Sequence, residues 1–337
     1  MLSQPDRLLP TSHDPELRSV NRRAVAKEFE QAKARKPRAQ TRKSKEEIKT
    51  RDHLPTQMNF WPDEVRGVSN AVLRSALFSI CKERAMARKR LRLATVENYL
   101  IMVKGELFNQ HDLDLWEMLL HIGRRQPYNK HIEFNARDLL KALGRGTGGG
   151  DYEELKEDIS RLMSTVIEIT FLKTKETFSG SLIHNLYRQE ATQHYAISFD
   201  EELRKLYDTG YTHVDWTQRT KLKGDSLAKW LHGFYASHAL PLRYKVATLK
   251  ELCGSKTVRL TDFRVALRKA FDKLKEVGAI TIWDIDPKND LVTVRRKASM
   301  SQQRHLESKQ ASKTSVEFSS GVSGTLSGFD SHMTPSE

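Results

Sequence analysis

Between residues 227 and 294 the spacing of apolar positions changes several times. Leu227, Trp230, Leu231, Phe234, Tyr235 and His238 recur at helical intervals, and a shorter helical run over 248–253 closes at Gly254. Across 261–277 the residues Phe263, Leu267, Ala270, Leu274 and Val277 step by four and three, which places them on one face of a third helix. Gly278 ends that helix. Ile280 and Ile282, then Val292 and Val294, alternate with polar residues on either side of the turn 286–290, the pattern of a hairpin. Off the apolar stripe of the third helix lie Arg259, Arg264, Arg268, Lys269 and Lys273.

A looser version of the same order precedes it. Tyr99, Ile101 and Val103 alternate through a strand that ends near Gly105, and Leu107 pairs back toward it. Leu113, Trp116, Leu119, Leu120 and Gly123 mark a helix; Ile132 to Phe134 form a short strand, and Asn135 caps a helix over 136–143. After the glycine-rich turn 144–150, the helix 151–164 buries Tyr152, Leu155, Ile159 and Leu162. Val166, Ile167, Ile169 and Phe171 lead into a hairpin expected to return through Ile183, Leu186, Tyr195, Ile197 and Phe199. Helix, helix, helix and hairpin, twice over, predicts an α+β fold of two tandem winged-helix domains. In that motif the third helix enters a DNA major groove. The expected division is 1–56, a disordered basic N-terminal region; 57–95, a leading segment and basic linker; 96–205, the first domain; 206–300, the C-terminal DNA-binding domain; and 301–337, a disordered polar tail.

Charge sharpens the picture. Lys and Arg number 57 against 43 Asp and Glu, a formal net charge of +14, which favours a polyanionic partner. Lys288 in the hairpin turn, Arg295 and Arg296 at its return, and Arg145, Lys156 and Arg161 of the first module join the third-helix cations as expected DNA contacts. Glu153, Glu154, Glu157 and Asp158 make the first module's third helix the poorer reader. The basic cluster Lys82, Arg84, Arg88, Lys89, Arg90 and Arg92 reads either as a DNA-backbone arm or as a solvated linker. Two cysteines, Cys81 and Cys253, offer neither a disulfide framework nor a zinc-ligand spacing, so a reducing cytoplasm is expected. No apolar run reaches membrane-spanning length.

Three constellations invite enzymology. Gly144, Gly146, Gly148, Gly149 and Gly150 resemble a phosphate loop but lack its Lys-Ser/Thr and follow a helix, so a flexible turn whose amides could hold a DNA phosphate is the better reading. Tyr207 and Tyr211 have the spacing of paired nicking tyrosines, yet no two of the 12 histidines stand one residue apart to hold the metal such enzymes need. Asp284, Asp286 and Asp290 straddle a Pro-containing turn, where Asp is favoured for its own backbone bonds. The expectation is a protein with no catalytic residue, metal or cofactor.

Trp61-Pro62-Asp63, Arg74-Ser75-Ala76-Leu77-Phe78, Ile197-Ser198-Phe199-Asp200-Glu201-Glu202, Phe234-Tyr235-Ala236-Ser237-His238 and Leu252-Cys253-Gly254-Ser255 together resemble the TrfA-type plasmid replication initiators. The resemblance implies tandem winged-helix domains that bind direct repeats, iterons, at a plasmid origin. It also implies opening of an AT-rich segment with contact to single-stranded DNA, recruitment of host DnaA and the DnaB helicase, and a monomer–dimer equilibrium that restrains copy number. Relatives carry a clamp-binding peptide, Gln-Leu-Ser/Asp-Leu-Phe, before Trp-Pro-Asp. Here Gln57, Met58 and Phe60 keep part of it with compressed spacing, so the segment reads either as a weakened sliding-clamp peptide or as an anchor of Phe60 and Trp61 on the first domain. A transcriptional repressor binding one palindromic operator is the rival of another class, and a metal-dependent nickase the enzymatic one.

Overall fold

Strand alternation and helical stripes on a chain that reverses often place short elements in several small sheets. The computed structural model describes residues 61–308, apart from Glu97 and 126–130, together with Gln310. The expected N-terminal region 1–56, the residues Gln57, Met58 and Phe60, and the tail from 311 lie outside the described residues.

The fold mixes helices and strands. β1 (Val65–Ser69), α1 (Asn70–Leu73), β2 (Phe78–Ser79) and β3 (Met86–Leu93) lead into β4 (Tyr99–Glu106), β5 (Phe108–Asn109) and α2 (Gln110–Gly123). Then come β6 (Ile132–Asn135), α3 (Ala136–Ala142), α4 (Gly149–Ser164), β7 (Val166–Phe171), β8 (Glu176–Gly180), β9 (Asn185–Gln189) and β10 (His194–Ser198). A 3-10 turn, Glu201–Arg204, and α5 (Lys205–Asp208) precede β11 (Tyr211–Asp215) and α6 (Trp216–Lys221). The last stretch holds α7 (Ser226–Ala236), β12 (Tyr244–Lys245), α8 (Val246–Leu252), α9 (Leu260–Glu276), β13 (Ile282–Ile285) and β14 (Leu291–Arg295).

Two apolar cores result, one from Trp61 to Val214 and one from Leu222 to Val294. In the first, α2 is buried nearly all round and begins with a capping box: Asn109 accepts from the His111 and Asp112 amides, and Asp112 accepts from the Asn109 amide. Asn135 caps α3 as expected, accepting from Arg137 and Asp138. In the second, α9 buries Phe263, Leu267, Ala270 and Leu274 of the expected stripe, and Phe271 beside them.

Several expectations need correction. Of the segment 57–95, the described residues 61–95 are not a linker: Met86–Leu93 is an edge strand of the sheet β3-β4-β7-β8, and β1 pairs antiparallel with β11, so the chain before the first module closes against the strand that follows it. β7 returns through β8, Ile169 opposite Phe178, and not through the stretch from Ile183 to Phe199, which supplies β9 and β10 of a separate sheet with β6. The polar run Lys173-Thr174-Lys175, with Lys175 in the left-handed region at φ 60, makes the tight reversal that sequence periodicity passed over. The polar tail does not begin at 301, because 300–308 are helical and Gln302 Nε2 donates to the Ala236 carbonyl at 2.8 Å. Ile282 does not face inward with Ile280. Strand pairing sets Trp283 opposite Val294 and Ile285 opposite Val292, which turns Ile282 outward at 55% exposure.

The two cores meet through polar groups. Trp230 Nε1 donates to the Ser75 carbonyl at 3.1 Å, and Arg74 Nε donates to Ser237 Oγ at 2.9 Å. Arg219, fully buried on α6, lies 2.7 Å from Asp114 and 3.3 Å from Glu117 of α2, and Lys229 of α7 reaches the same Asp114. Gly233 is needed at this seam, since a Cβ there would lie 2.7 Å from Leu73 Cδ2.

Candidate nucleic-acid interface

α9 and the β13–β14 hairpin carry the cations of the second core, and the fold decides which remain available. Arg264 donates from Nε and Nη2 to both carboxylate oxygens of Asp290, at 2.9 and 2.6 Å. This bidentate clamp ties the helix to the hairpin turn. Asp290 sits at φ 61, a conformation Asp tolerates better than most residues, and the turn is completed by the Asp286 carboxylate accepting from the Lys288 amide. Asp286 and Asp290 therefore serve the turn and the clamp. Sequence reasoning missed the pairing of Arg264 with Asp290 because the two are 26 residues apart with no periodic relation.

The other cations divide. Arg259, at the N-cap position of α9, pairs with Asp262 at 2.9 Å, and Lys273 pairs with Asp225 at 2.8 Å. Arg296 is half-buried, its Nη1 donating to the His238 carbonyl and to Gln302. Burial lowers its pKa. Arg268, Lys269, Lys288, Arg295 and Lys297 are exposed and make no ion pair among the described residues. A second set of cations, Lys82, Arg88, Lys89 and Arg92, is exposed on or just before β3, while Arg90 of that strand pairs with Glu168.

The first module offers less than its sequence promised. Arg161, 4% exposed, lies between Asp112 at 2.5 Å and Asp158 at 2.9 Å. Arg145, 13% exposed, lies 2.7 Å from the same Asp158, and Arg84 joins at 3.1 Å. Both carboxylates are fully buried, so this is an internal ion cluster joining α2 to α4 and to the chain before α4 and before β3, and Arg161 and Arg145 are corrected from DNA contacts to members of it. Helical periodicity placed Asp158 and Arg161 on a polar face; tertiary packing covered that face. Lys156 is held between Glu153 at 2.9 Å and Glu190 at 3.3 Å, two carboxylates that offset its charge. In the glycine-rich turn the Gly148 amide donates to Asp151 Oδ2 at 2.9 Å, so the acid of α4 occupies an amide expected to face a phosphate.

The tyrosine pair is structural in its surroundings. Tyr207 is 8% exposed and belongs to the first core, its ring 6.3 Å from that of Tyr211. No group of three or more His, Cys, Asp or Glu with metal-site geometry occurs among the described residues, and no described helix is long and apolar enough to cross a membrane.

These features define a class: a mixed helix-and-strand protein whose second core presents uncommitted cations on a helix and on the hairpin clamped to it. Within that class the chain belongs to the TrfA protein family, whose model matches residues 20–296. Over 246 residues it is 28% identical to the plasmid replication initiator protein TrfA of Escherichia coli, a match that covers 70% of this chain and 63% of that relative's length. Among solved structures, domains 2 and 3 of RctB align with a TM-score of 0.45 at 11% identity, over 65% of this chain and 95% of theirs. The Pi initiator protein in complex with iteron DNA aligns with a TM-score of 0.43 at 15% identity, over 56% of this chain and 94% of its own.

Proposed function

We propose that this protein is a plasmid replication initiator built on two tandem winged-helix domains, acting by binding rather than catalysis. The observation that carries the reading is the row of exposed, unneutralised cations, Arg268 and Lys269 on α9 with Lys288 and Arg295 on the hairpin, held in one frame by the Arg264–Asp290 clamp. A helix with free arginine donors reads base edges in a major groove, while hairpin cations set the register on phosphates. Family membership and the Escherichia coli relative support initiation as the purpose of that binding. The finer steps proposed are recognition of iterons at an origin, opening of an adjacent AT-rich segment that leaves single strands, and recruitment of DnaA and the DnaB helicase, with monomers initiating and dimers restraining copy number.

Footprinting on the plasmid's own origin tests this. Protection of repeated sites in one orientation, followed by reactivity of an AT-rich tract to single-strand probes once DnaA and helicase are added, is the expected result. A single protected palindrome would make the protein a repressor. A covalent protein–DNA adduct that disappears in Tyr207→Phe/Tyr211→Phe would make it a nickase.

A further inference from the structure

Two stripes run along α9. Phe263, Leu267, Ala270 and Leu274 are buried, and Thr261, Val265, Arg268 and Asp272, each two residues earlier, are exposed. Two residues turn a helix by about 200°, so the second stripe points away from the core. Val265 lies within it, 50% exposed and packed against neither apolar core. Apart from Ala266, it is the one exposed apolar residue of the helix.

Single exposed apolar side chains are common on protein surfaces. This one stands where the folded chain gains nothing from it. A β-branched residue loses side-chain freedom in a helix, Ala, Lys or Glu would favour the helix more, and here no packing offsets the loss. A local choice that works against its own element marks a position set by something outside that element. The neighbours of Val265 say what. Arg268 follows one turn later on the same stripe, without an ion-pair partner among the described residues, and the Arg264–Asp290 clamp fixes how α9 is turned relative to the hairpin. The stripe becomes acidic at Asp272, whose charge phosphates repel, so its N-terminal part, from Thr261 to Arg268, is the part that suits a duplex. In a major groove the methyl group presented on a base edge is the C5-methyl of thymine.

We infer that Val265 reads a thymine, its side-chain methyls packed on the C5-methyl of the base. The inference rests on the reading of α9 as the helix that enters the groove. Val265 and Arg268 are about 4.5 Å apart along the helix axis, a little over one base-pair step of about 3.4 Å. The thymine therefore lies one or two base pairs from the base that Arg268 reads.

Fluorescence anisotropy of the full chain on duplexes bearing the plasmid's own repeat tests this, with each thymine replaced in turn by deoxyuracil. That replacement removes the C5-methyl and leaves the hydrogen-bonding groups in place. The base read by Arg268 is located in parallel, as the position where Arg268→Ala no longer distinguishes one base pair from another. The parent should lose about fourfold in affinity at one thymine next to that position or one beyond it, the worth of one buried methyl. Val265→Ala should lose about the same on the unmodified repeat and bind the unmodified and uracil duplexes equally. Its affinity for random duplex should match the parent's, and its urea midpoint should be no lower, since the valine packs on nothing and Ala favours the helix. A parent indifferent to every uracil replacement, or a Val265→Ala variant that responds to them as the parent does, would overturn the inference and leave the initiator reading standing as long as the repeat is preferred over random duplex. A parent with no such preference would overturn both.

Discussion

Arg264 and Arg268 lie one helical turn apart on α9, yet the fold gives them different work. Arg264 is spent on Asp290, whereas Arg268 projects without a partner among the described residues. Arg268→Ala is expected to weaken binding to the cognate repeat by about 1–3 kcal/mol and to random duplex by less, the mark of a base-reading contact. Equal losses on both, in competition titrations, would reduce Arg268 to a phosphate contact. Arg161 shows the opposite outcome. Arg161→Ala leaves Asp112 and Asp158 short of charge in a dry interior and should lower stability by about 3–5 kcal/mol, read by urea unfolding. The salt dependence of DNA binding by the folded variant should not change. Residue type and spacing flagged both arginines as candidates; which was solvated depended on carboxylates distant in sequence.

At the scale of elements, the hairpin is the informative piece. Its alternating valines and Pro-containing turn made it legible, because period-two burial and turn chemistry are both local. Its parity was not, since the ladder begins at Ile282 and turns that side chain outward beside Arg295. The exposed cations at the tip and return, Lys288 and Arg295, are expected to bind phosphates. Each Ala variant should lower affinity for all sequences alike and flatten the slope of log K against log salt by about one unit. An unchanged slope would leave these charges merely solvated. β3 carried the same kind of signal, a run of basic residues, but its pairing with β4 made it a strand of the first module, and nothing within 86–93 alone announces that partner.

For the whole molecule, the seam between the cores holds the most consequential group. Asp114 takes hydrogen bonds from Arg219 and Lys229, which hold its pKa down. Glu117, more deeply buried and lacking a hydrogen bond, is raised from 4.5 to about 7, chiefly by desolvation. A carboxyl whose folded pKa exceeds its unfolded value binds its proton more tightly when folded. Its contribution to stability is complete below about pH 4.5, fades as pH rises, and is lost above about pH 7. Glu117→Gln should therefore remove a downward slope in unfolding free energy between these limits and be relatively most favourable at pH 8. Urea midpoints at pH 5 and pH 8 decide it; an unchanged difference between the two in the variant would mean that Glu117 stays ionised beside Arg219.

The sequence by itself determined the mixed helix-and-strand class, the position and apolar face of α9, the cap at Asn135, and the concentration of positive charge, because each is read from residue type and from residues within a few positions of one another. Tertiary structure decided what long-range pairing controls: the closure of β1 on β11, the separate sheets of β7 and β10, the burial of Arg145 and Arg161 in one ion cluster, and the clamp that commits Arg264. A charge is visible in any sequence. Whether it faces solvent or a buried carboxylate is settled only when elements far apart in the chain are packed together, since that is when desolvation and pairing act.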